Sequence, residues 1–484
     1  MKKITLLNYL LSTTLFLVLI SNVNAQLQNS NWYFGNQAGL NFNDGTQPPT
    51  VLTNNMMATD GGSASVSDLA GNLLFYTNGI NIWNNTHQIM SNGSGLFGNT
   101  DVSQSTIIVP DPNDVFKYYV FSNQANSMMG SGLYYSIVDM SLNGGLGDVD
   151  IAQKNIQLLG SASEKLTSVL NLNDNTYWVI SFAPSSDPDV NDTFYSYKID
   201  ATGISLFNQS TFTFNFIESF AKQSGQMKIS PDVLSLAMTH NTVDYDVNGS
   251  IVGSKNLFTF DFDNTTGIVS SMDNSYEIFD ALYTYGLEFS PDSNLLYVTV
   301  TNSLNESEIG EIHQVDYRSQ MAGNPLLLYD DRSAFFGLQL GIDGKIYSVS
   351  SSGNLGVINT PNIIGTGANY TSESVNLNGL AFRELPQLVP DIFLNSTEKN
   401  KPKKPLILGN PFKEELKFKF KFIQTYTIEF YNSAGALAKT SIYDDMTNRK
   451  IYKVDTSSLP TDTYYLIIRD EHSQIWYETV LRIE

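Results

Sequence analysis

Short apolar runs separated by turn-forming residues follow one another along most of the chain. One unit, residues 285–300, reads YGLEFSPDSNLLYVTV, and apolar residues alternate with polar ones on both sides of a Ser-Pro-Asp turn. Such alternation is typical of β-strands, and Pro, Asp, Gly or Asn between two of them favours a tight reversal. No amphipathic helix of three turns is indicated between residues 26 and 396, so the body is predicted to be all-β.

This unit recurs along the body. Comparable turns lie at residues 68–72, 110–114, 173–175, 231–232, 291–292 and 343–344. Further turns after Asp139, Asp200, Asp263 and Asp316 indicate four strands in a full unit. The first turns are about 43 to 60 residues apart, which suits four-stranded propeller blades with their loops. With a partial unit at residues 31–45, we predict a seven-bladed (six to eight) β-propeller over residues 26–394, in which the N-terminal strand completes the last blade beside residues 380–389.

The two ends of the chain have different patterns from the body. Residues 1–25 contain Lys2 and Lys3, an apolar stretch and small residues before Gln26, as a cleaved signal peptide does. Residues 395–405 are polar and lysine-rich, which is typical of a linker. Residues 406–484 show a fresh strand pattern and are predicted to form a small β-sandwich. No segment after the signal is apolar enough to span a membrane.

Composition narrows the function classes. The chain has no cysteine, so disulfides, lipoprotein attachment, cysteine catalysis and zinc–thiolate sites are excluded. Its net charge is −21, and the acidic excess lies before residue 397. An acidic body repels nucleic acid and anionic lipid surfaces, so a nucleic-acid partner is not expected.

Five stretches of the body form a set of recognisable motifs: WYFGNQAGLNF, GNLLFYTNGINIWNNTHQIM, GLFGNTDVSQSTIIVPDP, YGLEFSPDSNLLYV and LQLGIDGKIYSV. On these motifs the body resembles a family of secreted Bacteroidota proteins exported by the type IX system. It implies an N-terminal propeller and export, but no particular activity. This chain lacks the PKD-type segment that usually follows the propeller, and GLAFRELPQLVPDIF only loosely matches the usual closing segment.

The tail contains three short motifs, formed by Asn410, Pro411, Phe412, Tyr431, Asn432, Gly435, Leu459, Pro460 and Tyr464. At these positions it resembles the type A sorting domain of type IX substrates. The glycine that usually follows Leu-Pro is absent, and the chain ends in Glu484 rather than lysine. The resemblance implies recognition by the type IX secretion machinery, passage across the outer membrane and a secreted or cell-surface location.

Candidates for chemistry are few. DFDNTTG places Asp261, Asp263 and Thr265 at alternating positions, a weak calcium-loop pattern without the later Glu; no other cofactor is predicted. Glu218, Glu277 and Glu288 are available carboxylates, each interpreted as a solvated strand or loop residue. His87 and His240 are interpreted as surface or loop residues, and the tryptophans as packing between blades. No catalytic residue is assigned.

Two hypotheses of function remain. The preferred one is a non-enzymatic binding, adhesion or interaction module with an unknown extracellular ligand, a glycan or a protein. The alternative is a secreted hydrolase of polysaccharide or peptide with carboxylates in the propeller channel. Two or three acidic groups converging in the channel would favour the hydrolase. Because the Ser-Pro-Asp units build the ring, we expect any site on the less regular loops between them.

Overall fold

The computed structural model describes seventeen stretches of the chain. They are residues 27–42, 48–125, 132–187, 190–213, 217–218, 224–245, 251–276, 283–304, 307–318, 325–331, 335–350, 352–388, 406–408, 410–419, 426–443, 452–470 and 475–483. The predicted signal peptide and linker lie outside them. In these stretches the regular structure is strand, with four short 3-10 helices at Leu27–Asn29, Asn143–Gly145, Ile151–Gln153 and Gly365–Ala368. No helix in the described part has the length and hydropathy needed to cross a bilayer.

The body consists of successive groups of antiparallel strands, which we call blades 1 to 7; a parallel pairing of Ser91 with Asp148 joins blades 2 and 3 into one sheet. Blade 1 contains β1 (Asn31–Phe34), β2 (Ala38–Asn41) and β3 (Thr50–Val51). Blade 2 contains β4 (Ser63–Ser67), β5 (Leu73–Thr77), β6 (Asn81–Asn84) and β7 (Ile89–Ser94). Blade 3 contains β8 (Thr106–Pro110), β9 (Lys117–Asn123), β10 (Leu133–Asp139), β11 (Asp148–Val149) and β12 (Ile156–Leu159).

Blades 4, 6 and 7 each have four strands, and blade 5 has five. Blade 4 contains β13 (Leu166–Leu170), β14 (Tyr177–Pro184), β15 (Asn191–Asp200) and β16 (Gly203–Thr211). Blade 5 contains β17 (Ile217–Glu218), β18 (Met227–Ile229), β19 (Ser235–Tyr245), β20 (Ile251–Asp263) and β21 (Ile268–Tyr276). Blade 6 contains β22 (Tyr283–Phe289), β23 (Leu296–Leu304), β24 (Ser307–Val315) and β25 (Leu326–Asp331). Blade 7 contains β26 (Phe335–Leu340), β27 (Ile346–Ser350), β28 (Leu355–Ile358) and β29 (Tyr370–Val375).

Hydrophobic clusters join each blade to the next around a closed ring. Blades 1 and 2 share Tyr33 and Tyr76, and five further clusters join the successive pairs of blades from 2 to 7. A seventh packs Trp32 of blade 1 against Tyr347 of blade 7. Because the succession returns to blade 1, the described residues form a seven-bladed β-propeller, as predicted.

Ring closure takes place between the N-terminal sheet and the end of the body. The amide of Asn36 donates to the carbonyl oxygen of Leu380 at 2.8 Å, and the Leu380 amide donates back to Asn36 at 3.0 Å. The predicted meeting of the N-terminal sheet with residues 380–389 occurs at Asn36, but β1 pairs with β2 in a sheet of its own, so the prediction that it completes the last blade was wrong. A short strand, β30 (Pro386–Gln387), instead pairs in parallel with β4 of blade 2, so the closing segment contacts two blades.

The turns at Ser230 and Ser290 share one hydrogen-bonding scheme. Ser230 Oγ donates to Asp232 Oδ1 at 2.6 Å, and Ser290 Oγ donates to Asp292 Oδ1 at the same distance. Each serine Oγ then accepts the amide five residues later, at 3.0 and 2.9 Å. These side chains satisfy backbone donors within the turn. The presence of Ser and Asp in the motif is therefore explained by the formation of the turn.

The tail forms two facing sheets around a separate core. One contains β31 (Leu406–Leu408), β32 (Glu415–Lys419) and β35 (Tyr452–Asp455). The other contains β33 (Tyr426–Tyr431), β34 (Leu437–Tyr443), β36 (Asp462–Asp470) and β37 (Ile475–Arg482). Phe418, Ile428 and Leu466 are buried in this core. The predicted C-terminal β-sandwich is present.

Candidate functional site

Side-chain amides occupy the centre of the ring, where the innermost strands of the blades face one another. Gln104 Oε1 accepts the amides of Leu166 at 3.1 Å and Met227 at 2.9 Å, and its Nε2 donates to the Met227 carbonyl oxygen at 3.1 Å. One side chain therefore satisfies the free edges of the inner strands of blades 4 and 5. Such edges would otherwise leave buried backbone donors without partners.

Gln226 repeats this arrangement two blades further on. Its Oε1 accepts the amides of Leu287 at 2.7 Å and Leu338 at 3.3 Å, the inner strands of blades 6 and 7. Its Nε2 donates to Glu384 Oε2 at 2.6 Å. Gly286 and Gly337 precede those two leucines, and a Cβ at either would collide with backbone or with Glu384. The glycines therefore permit the close approach at the centre of the ring.

Two carboxylates are buried in this central network. Glu164 Oε2 accepts from both the amide and the hydroxyl of Ser103 at 2.7 Å. Burial raises the pKa of Glu384, Lys228, Tyr285 and Gln226 lower it and the charge of Glu164 raises it, with a net pKa of about 8. Glu384 is 2% exposed, so its carboxyl group is enclosed, and the raised pKa favours its protonated form at neutral pH.

A pocket of about 290 Å³ opens at one end of the channel, where the inner strands enter their turns. It includes Ser230 and Pro231 of the turn motif itself. The pocket thus lies at the repeated turns, and the expectation of a site on the less regular loops between units stays a prediction. Its lining is Asn29, Ile107, Thr167, Ser168, Val169, Leu170, Leu172, Lys228, Ile229, Ser230, Pro231, Val233, Glu288, Gln339, Leu340, Gln387 and Leu388.

The polar side of this pocket is a linked trio. The Lys228 ammonium group donates to Gln339 Oε1 at 2.6 Å and lies 3.3 Å from Glu288 Oε2. Glu288 also accepts the amides of Phe289 and Leu340, each at 2.9 Å. The trio therefore holds the Lys228 ammonium and the Glu288 carboxylate in place and connects blades 5, 6 and 7.

The interpretation of Glu288 as a solvated residue was wrong. Glu288 is 5% exposed, because an inner strand is covered by neighbouring blades on both faces and by the channel contents at its edge. The side chain of Glu218 is outside the described part of the structure, and Glu277 lies outside the described residues. Glu288 is the only carboxylate among the described residues that line this pocket.

The calcium prediction concerns the turn between β20 and β21. Asp263 Oδ1 accepts the amide of Thr265 at 2.9 Å, and its Oδ2 accepts the Thr266 hydroxyl at 2.8 Å. Thr265 Oγ1 accepts from Asn173 at 2.8 Å, and Asp261 lies on β20 two residues earlier. In the described part of the chain, no three His, Asp or Glu side chains could together hold a metal ion. Calcium binding at Asp261, Asp263 and Thr265 stays a prediction.

The structure confirms the interpretation of two tryptophans as packing residues but not the assignment of His240 to the surface. Trp32 and Trp178 are fully buried in clusters between blades, as predicted. His240 is only 1% exposed and lies edge-on to Phe182 at 5.5 Å, so its assignment to the surface was wrong. His87 is half-buried beside Tyr33, with its Nε2 2.8 Å from Asn54 Nδ2.

The first motif of the tail attaches to the last strand. Asn410 Oδ1 accepts the amide of Leu481 at 2.8 Å, and its Nδ2 donates to the Thr479 carbonyl oxygen at 3.2 Å. Phe412 continues this pairing by donating to the Leu481 carbonyl oxygen at 3.0 Å and accepting from Ile483 at 2.9 Å. The peptide bond between Asn410 and Pro411 is cis. Asn410 and Phe412 therefore cover the outer edge of β37.

The other motif residues also build the sandwich. Tyr431 ends β33, Asn432 Oδ1 accepts the amides of Ala434 and Ala436, and Gly435 has a φ of +77° in the same hairpin. Leu459 and Tyr464 are buried, and the Tyr464 hydroxyl donates to the Pro460 carbonyl oxygen at 2.9 Å. The motif therefore specifies a folded domain.

Comparison with known families decides the nature of the tail. Residues 407–482 match the family described as a secretion system C-terminal sorting domain. The tail is a secretion sorting domain. This confirms the predicted type IX sorting tail and indicates export to the cell surface or the medium. No curated protein matches the chain in sequence.

Solved structures resemble the chain only distantly. PorZ, a surface component of the type IX secretion system of Porphyromonas gingivalis, is 7% identical with a TM-score of 0.29, covering 94% of this chain and 74% of that chain. A puromycin-hydrolysing peptidase of Mycobacterium tuberculosis is 11% identical with a TM-score of 0.37, covering 93% and 60%. A β-fructofuranosidase of Bombyx mori is 10% identical with a TM-score of 0.28, covering 76% and 84%. These scores carry no functional argument.

Proposed function

We propose that the chain is an exported, non-enzymatic binding protein whose propeller holds a ligand at the channel mouth. The observation that carries this proposal is the Lys228–Glu288–Gln339 trio in a pocket of about 290 Å³. That volume is at the lower end of the range of small-molecule sites, and the lining combines aliphatic walls with a few fixed polar groups.

The trio is suited to binding rather than to hydrolysis. A glycosidase needs two carboxyl groups about 5 to 10 Å apart, one of them free to exchange a proton. Among the described lining residues Glu288 has no carboxylate partner, and its oxygens accept two amides and face the Lys228 ammonium group. Glu164 and Glu384 are not among the described lining residues and belong to the enclosed network at the centre of the ring.

One experiment on the purified chain distinguishes the binding protein from the secreted hydrolase. We expect ligand-dependent stabilisation or direct binding in a mixed screen of peptides and glycans, without any cleavage of the bound compounds. Release of reducing ends or new amino termini, lost when Glu288 is replaced by Gln, would establish the alternative of a secreted hydrolase.

The proposed route of delivery begins with the signal peptide at residues 1–25 and ends with passage across the outer membrane by the type IX machinery. Deleting residues 405–484 should retain the propeller in the periplasm, because the sorting domain is then missing. Unchanged surface display of the shortened chain would contradict this route. A chain carrying a substitution at exposed Leu437, with the tail intact, controls for expression.

A further inference from the structure

The pocket at the channel mouth has more apolar wall than polar wall. Ile107, Leu170, Ile229, Val233 and Leu340 are among its aliphatic residues, and no aromatic side chain is among its described lining residues. Sugar-binding sites commonly stack a pyranose ring on an aromatic side chain. This lining therefore favours a ligand with an aliphatic or aromatic group of its own over a glycan.

The pocket is electrically balanced. Lys228 and Glu288 are the only charged side chains among its described lining residues, and they face one another at 3.3 Å. A ligand bearing a net charge would be attracted by one and repelled by the other at nearly the same distance. The balance favours a neutral ligand.

Several polar groups of the pocket keep unused hydrogen-bonding capacity. Ser168 Oγ is buried without a hydrogen-bond partner among the described residues. The Lys228 ammonium group uses two of its three donors, on Gln339 and Glu288. Gln387 donates its Nε2 to the Leu166 carbonyl oxygen at 2.8 Å, while its Oε1 accepts from none of the described residues.

Lys228 therefore keeps an unused donor and Gln387 an unused acceptor, and both residues line the pocket. A backbone amide has the matching pair, because its C=O accepts and its N–H donates. The aliphatic walls then supply the burial that an apolar side chain next to that amide requires.

We propose that the channel mouth binds a neutral peptide segment, taking one bulky apolar side chain between its aliphatic walls and one backbone amide between Lys228 and Gln387. This inference rests on the proposed binding function and specifies its ligand class. The ligand is recognised by one side chain and one amide, so short peptides contain the whole recognised unit.

The test uses the purified full chain and N-acetylated, C-amidated tetrapeptides in which one central position is Ala, Ser, Leu or Phe. Burial of the additional carbon atoms should make the Leu peptide bind about 10- to 100-fold more tightly than the Ala peptide. Ser should bind no better than Ala. A glycan array is probed in parallel with the same preparation.

Two variants assign the binding to this pocket. Ser168→Trp fills the pocket without breaking a hydrogen bond and should abolish peptide binding, whereas Ser205→Trp, at an exposed position of β16, should leave it unchanged. The double variant K228M/E288Q removes both charges together, which avoids an unpaired buried charge, and should weaken binding of the Leu peptide about 10-fold or more.

The outcomes of these experiments distinguish a failure of the peptide assignment from a failure of the proposed binding function. Glycan binding that Ser168→Trp abolishes, with no peptide binding, would overturn the peptide assignment and leave the binding function standing. Equal affinity for the Ala and Leu peptides would also overturn the assignment. Failure to bind any peptide or glycan, or cleavage of either, would overturn the proposed function together with it.

Discussion

Gln226 and Glu384, 158 positions apart in the chain, meet at the centre of the ring with Nε2 and Oε2 2.6 Å apart. Gln226 belongs to the inner edge of blade 5, whereas Glu384 lies in the segment that closes the ring. The same glutamine accepts backbone amides from blades 6 and 7. A single side chain thus connects the innermost edges of three blades to the closing segment.

Replacing Gln226 by Ala should destabilise the propeller severely. The change leaves two buried backbone amides and the Glu384 carboxyl group without their partner, and each such loss costs about 1–3 kcal/mol. We expect a clear fall in the denaturation midpoint of the propeller in chemical unfolding. Gln209→Ala, at an exposed position of β16, is the matched control and should leave the midpoint unchanged; an equally small effect of Gln226→Ala would refute a central role.

The buried carboxyl group of Glu384 should make stability fall as the pH rises. Its pKa is about 8 in the folded chain, above the value of about 4.3 for an unfolded Glu. The native state therefore holds the proton more tightly, and the favourable contribution, complete below about pH 4, is lost progressively until the pH exceeds about 8.

Glu384→Gln should remove this dependence, because the amide cannot ionise. We expect the difference in melting temperature between pH 5 and pH 8.5 to be smaller in Glu384→Gln than in the natural chain. Glu373→Gln, at an exposed position of β29, provides the control for general charge effects. A difference that is equal in all three proteins would mean that Glu384 is ionised within the folded ring.

Strands and turns of the body could be predicted from the sequence because they depend on local chemistry. The Ser230 and Ser290 turns satisfy their own amides, and the alternating strands beside them need only neighbouring blades to bury both faces. Trp178 was assigned to packing for the same reason. The blade count followed from repetition of these local units and from ring closure.

The channel was missed because its residues act across blades. In blades 5, 6 and 7 the amide that closes the first turn belongs to Ser230, Ser290 and Gly341. Two residues before each of these positions lie Lys228, Glu288 and Gln339. At the corresponding position, blades 2, 3 and 4 have Val66, Val109 and Val169. An alignment of the repeats at this position would have shown that blades 5 to 7 have polar residues there and blades 2 to 4 have valine.

The error over Glu288 has the same origin. Alternation within β22 assigns it to the face opposite Leu287 and Phe289, and in an isolated sheet that face would meet solvent. A propeller blade has no solvated face near the channel, so a charge at that position is retained only with a partner. Lys228 supplies it from another blade.

Closure of the ring should depend on the small size of Gly379. A Cβ at this position would collide with the carbonyl oxygen of Asn36, next to the backbone pair that Asn36 forms with Leu380. Gly379→Ala should therefore separate blade 1 from the closing segment, seen as faster amide exchange at Asn36 and Leu380. Gly160→Ala adds its methyl group to open space and should leave exchange unchanged; unchanged exchange in both would show that closure tolerates the shift.

Phe412 should be required for export because it holds the sorting domain together. It is 4% exposed, packs in the core of the tail and pairs with β37, and Phe→Ala changes in cores cost about 3–5 kcal/mol. That loss is a large part of the stability of so small a domain. Phe412→Ala should make the tail protease-sensitive and reduce the amount of propeller at the cell surface. The control Tyr465→Ala alters an exposed residue of β36 and should leave the protease resistance of the tail unchanged. Normal export with an unfolded tail would show that the machinery reads the motif as a linear segment rather than as a folded domain.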